Sequence, residues 1–182
     1  YVLFIGVDDL RPEFFCYGLD QMVTPIFDRL AQRGVKFDRA YCNIAVCGAS
    51  RASLMKGLRP TPTRFTSYRT WAEKDAPDVL SLPMVFKQHG YVTASNGKIY
   101  HHPEDDSAAW SRPAWHPNPS SIWWALPESR TLKSESRGRG PAYEAADRTD
   151  EIYPDHKICD KTLADLQVLA KKDKPFFLAC GF

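Results

Sequence analysis

The sequence predicts an α/β fold in which helices cover both faces of a mostly parallel sheet. Two observations support this prediction. Residues 2–7 form a short, unbroken apolar run, which is typical of a strand buried on both faces in a parallel sheet between helices. Along the first half of the chain, such strand-like segments alternate with helix-like segments, and this alternation indicates a layered α/β architecture.

The first half of the chain supplies most of this alternation. Residues 24–34 predict a helix, because Thr24 suits the N-cap, Pro25 the first turn and Gly34 the end. Its apolar residues share one face: Ile26, Phe27, Leu30 and Ala31. The segments that follow are predicted to be a brief strand at 35–37, helices at 50–56 and 81–89, and a strand at 91–95.

The composition and periodicity of the chain change between residues 103 and 154. This stretch is rich in Pro, Ser, Trp and Arg, has no sustained periodicity, and is too long for an ordinary connection, so it is predicted to be a functional surface loop or an insertion. A helix at 155–172 and a buried strand at 175–180 follow. Because ligands of open α/β sheets bind beyond the carboxyl ends of the strands, where this sequence stops, we expect residues 1–182 to be the N-terminal part of a larger domain.

The composition is that of an ordinary globular chain. Its 182 residues are 43% hydrophobic and 25% charged, which suits about one domain with a real core and excludes a disordered tail or a coiled coil. The net charge of +2 gives no argument for nucleic acid or an anionic membrane as a partner, and the longest apolar run is too short to span a bilayer. The five cysteines include no Cys-x-x-Cys pair, so neither a zinc knuckle nor a disulfide scaffold is favoured.

Two adjacent carboxylates, Asp8 and Asp9, stand at the predicted carboxyl end of the first strand. Side by side they repel each other and lose hydration, a cost that a hard cation such as calcium would offset. A strand-end aspartate that caps the next turn is the alternative interpretation, and from these two residues alone both remain open.

The segment from Cys47 to Arg51 places a thiol at the start of a predicted helix and a guanidinium one turn later on the same face. Free N–H groups at a helix start favour an anion, so this spacing is compatible with a nucleophile next to an anion site. A buried structural cysteine is the alternative. A phosphatase loop of the cysteine type is not favoured, because it needs five residues between Cys and Arg and only three are present.

A third polar group follows the strand predicted at 91–95. Lys98 offers a fixed positive charge, and His101 or His102 offers a proton donor near neutral pH, again beyond the carboxyl end of a strand. Judged alone, this segment favours the alternative of a solvated lysine and a pair of surface histidines.

Together these motifs resemble the sulfatase family. An apolar strand ending in Asp-Asp, then Cys-x-Ala-x-Arg, then Gly-Lys-x-x-His is the pattern of that family, in which most members carry Pro where this chain has Ala49. Further matches are similar to the branch of iduronate-2-sulfatase-like members: Val-Asp-Asp-Leu-Arg-Pro at 7–12, Cys-Tyr-Gly at 16–18 and Gly-Tyr-Val-Thr at 90–93. The resemblance covers residues 1–103 well and 155–182 in outline.

The resemblance implies an alkaline-phosphatase-like α/β/α sandwich and hydrolysis of sulfate esters. In that family the motif cysteine, here Cys47, is oxidised to formylglycine by a formylglycine-generating enzyme, and the hydrated aldehyde attacks sulfur. Asp8, Asp9 and the modified Cys47 would hold a calcium ion. Arg51 would hold the hydrate, and Lys98 would neutralise the sulfate charge. His101 would hydrogen-bond the hydrate or the sulfate, with His102 in its place if the loop is shifted.

The resemblance also implies a substrate class and a cellular setting. A sulfated sugar or polysaccharide is the expected substrate, and an exported or lysosomal location is favoured. The family supplies further metal and catalytic groups from later in its chain, so the 182 residues alone are expected neither to bind calcium tightly nor to turn over substrate. The alternatives are a phosphate or phosphonate monoester hydrolase on the same scaffold, and a non-catalytic protein that binds sulfated polysaccharide with Cys47 as a thiol.

Aromatic residues are concentrated in the irregular stretch, where arginines are also frequent. Aromatic faces beside guanidinium groups suit a sulfated sugar chain, through ring stacking and sulfate pairing. The alternative is that the tryptophans form a small core that holds the stretch together. The residues concerned are Trp110, Trp115, Trp123, Trp124 and Tyr143, with Arg130, Arg137, Arg139 and Arg148.

Overall fold

A parallel sheet organises the chain. The computed structural model describes residues 1–118, 123–136 and 140–182. Within these residues three strands, β1 (Val2–Gly6), β2 (Val92–Gly97) and β3 (Phe176–Gly181), pair in the order β1–β3–β2, and both pairings are parallel. The last strand in sequence therefore lies between the first two, so the carboxyl ends of all three meet at one edge of the sheet.

Six α-helices are present in the described residues. They are α1 (Pro25–Arg33), α2 (Cys47–Lys56), α3 (Ala72–Asp75), α4 (Leu82–Gln88), α5 (Pro127–Glu135) and α6 (Pro154–Leu169). Short 3-10 helices lie at Phe15–Tyr17, Ser107–Ala109 and Asp150–Ile152. No helix of the described residues is long and apolar enough to cross a membrane.

Apolar side chains cover both faces of the central strand β3, which is buried throughout. Phe177 and Ala179 belong to a core shared with α2 and the segment that includes α3. Phe176 and Leu178 point to the opposite face and pack with Leu169 at the end of α6. Helices therefore lie on both sides of a parallel sheet, and the predicted α/β/α sandwich is confirmed.

The prediction that the first strand is buried on both faces is correct for only one face. Val2 and Phe4 pack against the larger core, whereas Leu3 is 44% exposed and Ile5 is 57% exposed. The physical reason is the strand order. Since β1 is an edge strand of the described sheet and α6 packs on β2 and β3, the face that carries Leu3 and Ile5 is left uncovered.

Other predicted elements shift or disappear. The helix predicted at 50–56 begins at Cys47, and the strand predicted at 91–95 continues to Gly97. The brief strand predicted at 35–37 is wrong, because this segment is an exposed loop without a strand partner. Thr24 precedes α1 as predicted, but its hydroxyl accepts a hydrogen bond from the Phe15 N–H at 3.3 Å instead of capping the helix.

Part of the stretch predicted to be irregular, residues 103–154, is helical. Helix α5 lies within it, and the sequence signal was weak because its residues are mainly polar, Pro-Glu-Ser-Arg-Thr-Leu-Lys-Ser-Glu, so apolar periodicity does not mark it. Pro127 stands in its first turn, where the missing N–H of proline costs no hydrogen bond.

Two glycines allow β2 and β3 to approach closely where the strands end. A Cβ atom placed on Gly181 would lie 2.0 Å from the backbone oxygen of Lys98, and one placed on Gly97 would lie 2.1 Å from the backbone oxygen of Gly181. Gly97 also has a φ of +73°, in the left-handed region that favours glycine. The closeness of these strand ends brings Lys98 next to β3.

We expect Gly181→Ala to lower the free energy of unfolding by at least about 2 kcal/mol, because the new methyl group cannot fit without displacing the backbone of Lys98. The measurement is urea unfolding of the full chain followed by tryptophan fluorescence. Gly34→Ala is the matched control, since its Cβ would meet its nearest neighbour at an ordinary 3.4 Å. Equal stability of the two variants would contradict the predicted steric constraint.

Candidate active site

The site is built at the carboxyl edge of the sheet by backbone hydrogen bonds to β3. The Asp8 N–H donates to the Phe182 carbonyl at 3.0 Å, and the Lys98 N–H donates to the Gly181 carbonyl at 2.9 Å. Residues that follow β1 and β2 are thereby fixed to the end of the strand between them. As a result, Asp8 and Lys98 are brought within contact although ninety residues separate them in sequence.

Asp8, Arg51 and Lys98 form a cluster of one carboxylate and two cations. Both Lys98 Nζ and Arg51 Nη2 contact Oδ2 of Asp8, the latter at 3.2 Å. Arg51 Nη1 also donates to the backbone carbonyls of Lys98 and Ile99, at 3.2 Å for Ile99. Partial burial raises the pKa of Asp8, but the hydrogen bond and charge of Lys98 and the charge of Arg51 outweigh it, so the pKa lies below its ordinary value.

Cys47 is the first residue of α2, and its position there is set by a tight contact one residue later. A Cβ on Gly48 would lie 2.2 Å from the backbone oxygen of Tyr68, so only glycine lets that loop pack on the first turn of the helix. The Sγ atom of Cys47 lies 3.6 Å from Nδ1 of His101. The thiol therefore lies at a helix start, where backbone N–H groups favour negative charge.

His101 is held in its neutral form. Burial lowers its pKa, and the positive charges of His102, Lys98 and Arg51 lower it further, with only Asp8 opposing them. The imidazole is therefore mainly uncharged at neutral pH and can accept or donate a hydrogen bond next to Cys47.

An open cleft of about 350 Å³ lies between the end of β1, the loop before α2 and the first turns of α2. Both carboxylates, the thiol and the guanidinium of the predicted site border this space, as does a second cysteine, Cys42, which is exposed. Asp9 enters the cleft with a φ of +50°, a backbone conformation that aspartate adopts more readily than most residues. A small tetrahedral anion with part of its ester group fits a space of this size.

Carboxylate oxygens are suitable ligands for calcium, and Asp8 and Asp9 supply part of a calcium ligand set. Calcium takes about six to eight oxygen ligands. No described residue donates a hydrogen bond to Oδ1 of Asp8, and Asp9 lies in the same cleft. Among residues 1–118, 123–136 and 140–182, however, no group of three or more His, Cys, Asp or Glu side chains could hold a metal ion. Asp8 and Asp9 therefore fit a calcium site to which other ligands would have to contribute.

The structure brings together the residues singled out from the sequence. Asp8, Arg51 and Lys98 are in direct contact, Cys47 and His101 form a second pair, and Asp9 borders the same cleft. His102, the alternative to His101, faces elsewhere: its Nε2 lies 3.3 Å from the Arg69 carbonyl oxygen. The roles assigned to these residues by the family resemblance stay predictions.

Two aromatic residues that no sequence motif singled out, Tyr68 and Trp71, lie next to the two histidines. The Tyr68 ring meets His101 edge-on at 5.6 Å, and the Trp71 ring stacks on His102 at 4.1 Å. Only Gly48 hinted at this packing, since a glycine directly after a motif cysteine indicates a close approach of backbone.

The tryptophans of the irregular stretch have two different environments. Trp110 is 5% exposed and belongs to the larger core of the sheet, instead of a separate small core within the stretch. Trp123 is 58% exposed and, with Trp124, Tyr143 and Arg148, borders a second cleft of about 430 Å³. Arg130 donates to the Ala125 carbonyl at 2.6 Å. Arg137 and Arg139 lie outside the described residues. For Trp123 and Trp124 the sulfated-sugar interpretation stays a prediction.

We expect Asp8→Asn to lower the free energy of unfolding by about 1–2 kcal/mol at pH 7, because Arg51 and Lys98 would then face each other without a balancing charge. The pKa of Asp8 is lower in the folded chain than in the unfolded chain. The ionised carboxylate therefore stabilises the fold fully above the ordinary carboxyl pKa of about 3.9. This stabilisation is lost as the pH falls through the folded-state pKa. Urea unfolding of both proteins at a series of pH values measures this. The exposed Asp20→Asn is the control, and a stability gap that persists at low pH would contradict the assignment.

Comparison with known proteins identifies the family. The Sulfatase family model matches residues 1–182. Human iduronate 2-sulfatase is 32% identical over 197 residues, an alignment that includes 100% of this chain and 34% of the human protein. A sulfatase of Formosa agariphila is also 32% identical and is matched over 38% of its length. The chain thus spans about a third of the length of the curated relatives that it matches.

Solved structures share the fold. The phosphonate monoester hydrolase of Agrobacterium radiobacter superposes with a TM-score of 0.70 at 20% identity, over 100% of this chain and 40% of that one. A protein solved in complex with its substrate, D-glucosamine-2-N,6-O-disulfate, superposes with a TM-score of 0.68 at 23% identity, over 99% of this chain and 33% of that one. The architecture is thus alkaline-phosphatase-like, and the match along its whole length shows that this chain belongs to the sulfatase family.

Proposed function

We propose that this chain forms the nucleophile-bearing part of a sulfatase active site that hydrolyses sulfate esters of a sulfated sugar. One observation carries the proposal: Cys47, Asp8, Asp9 and Arg51 border a single cleft at the carboxyl edge of the sheet, and Lys98 contacts Asp8 there. The chain is a family member, and the site has the charge and the size that a sulfate ester needs.

The chain's own residues bind and orient the sulfate group. Lys98 and Arg51 supply two positive charges, and Asp8 and Asp9 together balance them in formal charge. Calcium held by the two carboxylates would make the site positive toward an anion. The first turn of α2 adds backbone N–H groups at Cys47. Arg51 is fixed by its bonds to the backbone after β2, so its position does not have to be organised when substrate binds.

Cys47 and His101 form the reacting pair. The neutral imidazole lies against the Cys47 side chain and can accept a proton from a group at that position or return one to the departing sugar oxygen. Cys47 is the residue that a formylglycine-generating enzyme would oxidise, and the modified side chain would supply the attacking oxygen. Asp8 and Asp9 would hold calcium, which would supply further positive charge for the sulfate oxygens.

The names of the relatives support a sugar as the substrate. One relative is named for iduronate, a uronic acid, and a structural neighbour was solved with a disulfated glucosamine. A sulfated sugar or polysaccharide is therefore the proposed substrate class, and an exported or lysosomal setting follows from the same family.

The first test is chemical and concerns residue 47. We expect the Cys47 peptide of the full chain, purified from its native host, to be about 18 Da lighter than the cysteine form, because the modification removes sulfur and leaves an aldehyde. Intact-peptide mass spectrometry measures this. Cys42, exposed beside the same cleft, is the internal control and should keep its thiol mass.

The second test is kinetic. We expect Cys47→Ser to lower kcat/KM for a sulfated monosaccharide by at least about 10³-fold and Lys98→Ala by about 10²–10³-fold, because the first removes the modification site and the second removes charge from the sulfate site. Cys42→Ser is the matched control and should stay within about twofold of the unaltered protein. Phosphate and phosphonate monoesters are assayed in parallel. Faster turnover of those esters, or full activity of Cys47→Ser, would overturn the proposal.

A further inference from the structure

The loop of Tyr68 lies beside the reacting pair, and this loop and the short helix α3 that follows it carry two exposed cations. The backbone oxygen of Tyr68 packs so tightly on Gly48 that no Cβ would fit between them, and the Tyr68 ring meets the His101 ring at 5.6 Å. The loop is therefore attached to the residue that follows Cys47 and also contacts the histidine that faces the thiol. Tyr68 is therefore the point at which this loop contacts the reacting pair.

Arg69 is positioned on this loop by its neighbour. Its Nε donates to the Tyr68 hydroxyl at 3.0 Å, and its guanidinium carbon lies 5.4 Å from the centre of the Tyr68 ring. No carboxylate of the described residues forms an ion pair with it, while its side chain is exposed. An arginine held in place with free Nη donors is suited to bind a carboxylate or a sulfate through two parallel hydrogen bonds.

A second aromatic–cation pair continues the same surface. The Trp71 ring stacks on His102 with an angle of 10° between the planes, and Lys74 Nζ lies 3.8 Å from the centre of the Trp71 ring. We call Tyr68, Arg69, Trp71 and Lys74 the aromatic wall. Positive charge on an aromatic surface is compatible with a sugar ring that carries an acidic substituent.

The wall is held rigidly from behind by Asp105, which is 2% exposed. One carboxylate oxygen accepts from the Ala72 N–H at 2.7 Å and the other from the Glu73 N–H at 3.1 Å. This side chain ties the segment after Trp71 to the loop that follows the two histidines. Its burial raises the pKa, which the two backbone hydrogen bonds only partly offset. A buried carboxylate that joins the start of α3 to the loop after the histidines holds the backbone that carries the exposed cations.

We propose that the aromatic wall is a specificity site that binds an anionic substituent, a carboxylate or a second sulfate, on the sugar that bears the reacting ester or on its neighbour. This inference rests on the proposed function and adds the substrate class to it: sugars with a second negative charge. Arg69 makes the direct ion pair, Tyr68 positions it, and Lys74 adds charge farther from the reacting centre.

The test compares three sulfate esters in the whole protein. They are a 2-sulfated uronic acid saccharide, a disulfated glucosamine, and 4-nitrophenyl sulfate, which has no second negative charge. We expect Arg69→Gln to lower the ratio of kcat/KM for a doubly charged sugar to that for the aryl ester by about 10- to 100-fold, mainly through KM, because a charge-assisted hydrogen bond is lost. Arg69→Lys should restore part of the ratio. The exposed Arg39→Gln, far along the chain in a loop, is the matched control.

The pattern across the substrates identifies the bound group. A loss confined to the uronic acid assigns a carboxylate, and a loss confined to the disulfated sugar assigns a second sulfate. Equal losses for all three esters would mean that Arg69 acts on the fold or on the reacting sulfate, and would overturn the inference.

A binding measurement separates this inference from the proposed function. Titration calorimetry of the same two sugars into Cys47→Ser, with and without Arg69→Gln, does not depend on turnover. Weaker binding in the double variant supports the aromatic wall even if no ester is hydrolysed, in which case only the proposed function fails. Equal affinity in both proteins rejects the wall while leaving sulfatase activity intact.

Discussion

The carboxylate of Asp8 is the interaction on which the rest of the site depends. It binds Arg51 from α2 and Lys98 from the segment after β2, and so joins three parts of the chain that are distant in sequence. Two cations this close would repel each other in a partly buried place without a counter-charge. Asp8 alone leaves one positive charge of this cluster unbalanced, and Asp9 in the same cleft offsets it. The same pairing therefore holds three segments of the fold together and positions the two cations of the proposed sulfate site.

Steric constraints at three glycines decide where these charges lie. Gly97 and Gly181 let the ends of β2 and β3 approach until the Lys98 N–H bonds to β3, and Gly48 lets the Tyr68 loop pack on the first turn of α2. Each glycine is required because another backbone occupies the space of its missing side chain. The charged residues carry the chemistry of the candidate site, and the glycines set the distances between these charged residues.

Residues of the same type differ in how deeply they are buried and in what they contact. Trp110 fills the core against Phe177, while Trp123 lies largely in solvent beside the second cleft. The histidines differ in the same way: His101 meets the thiol of Cys47, and His102 turns away to stack on Trp71. Neither distinction follows from residue type, because each depends on which surface lies opposite the side chain.

The sequence by itself determined the fold class and singled out the main residues of the candidate site. Unbroken apolar strands, helices with recognisable ends and the order of Asp-Asp, Cys-x-Ala-x-Arg and Gly-Lys-x-x-His are local patterns, and parallel topology brings the ends of such strands to one edge. Only the tertiary structure decided the exposed face of β1, the polar helix α5 and the loop of Tyr68 and Arg69 beside Cys47. These features arise from contacts between segments far apart in the chain, and no periodicity or motif within a short window records such contacts.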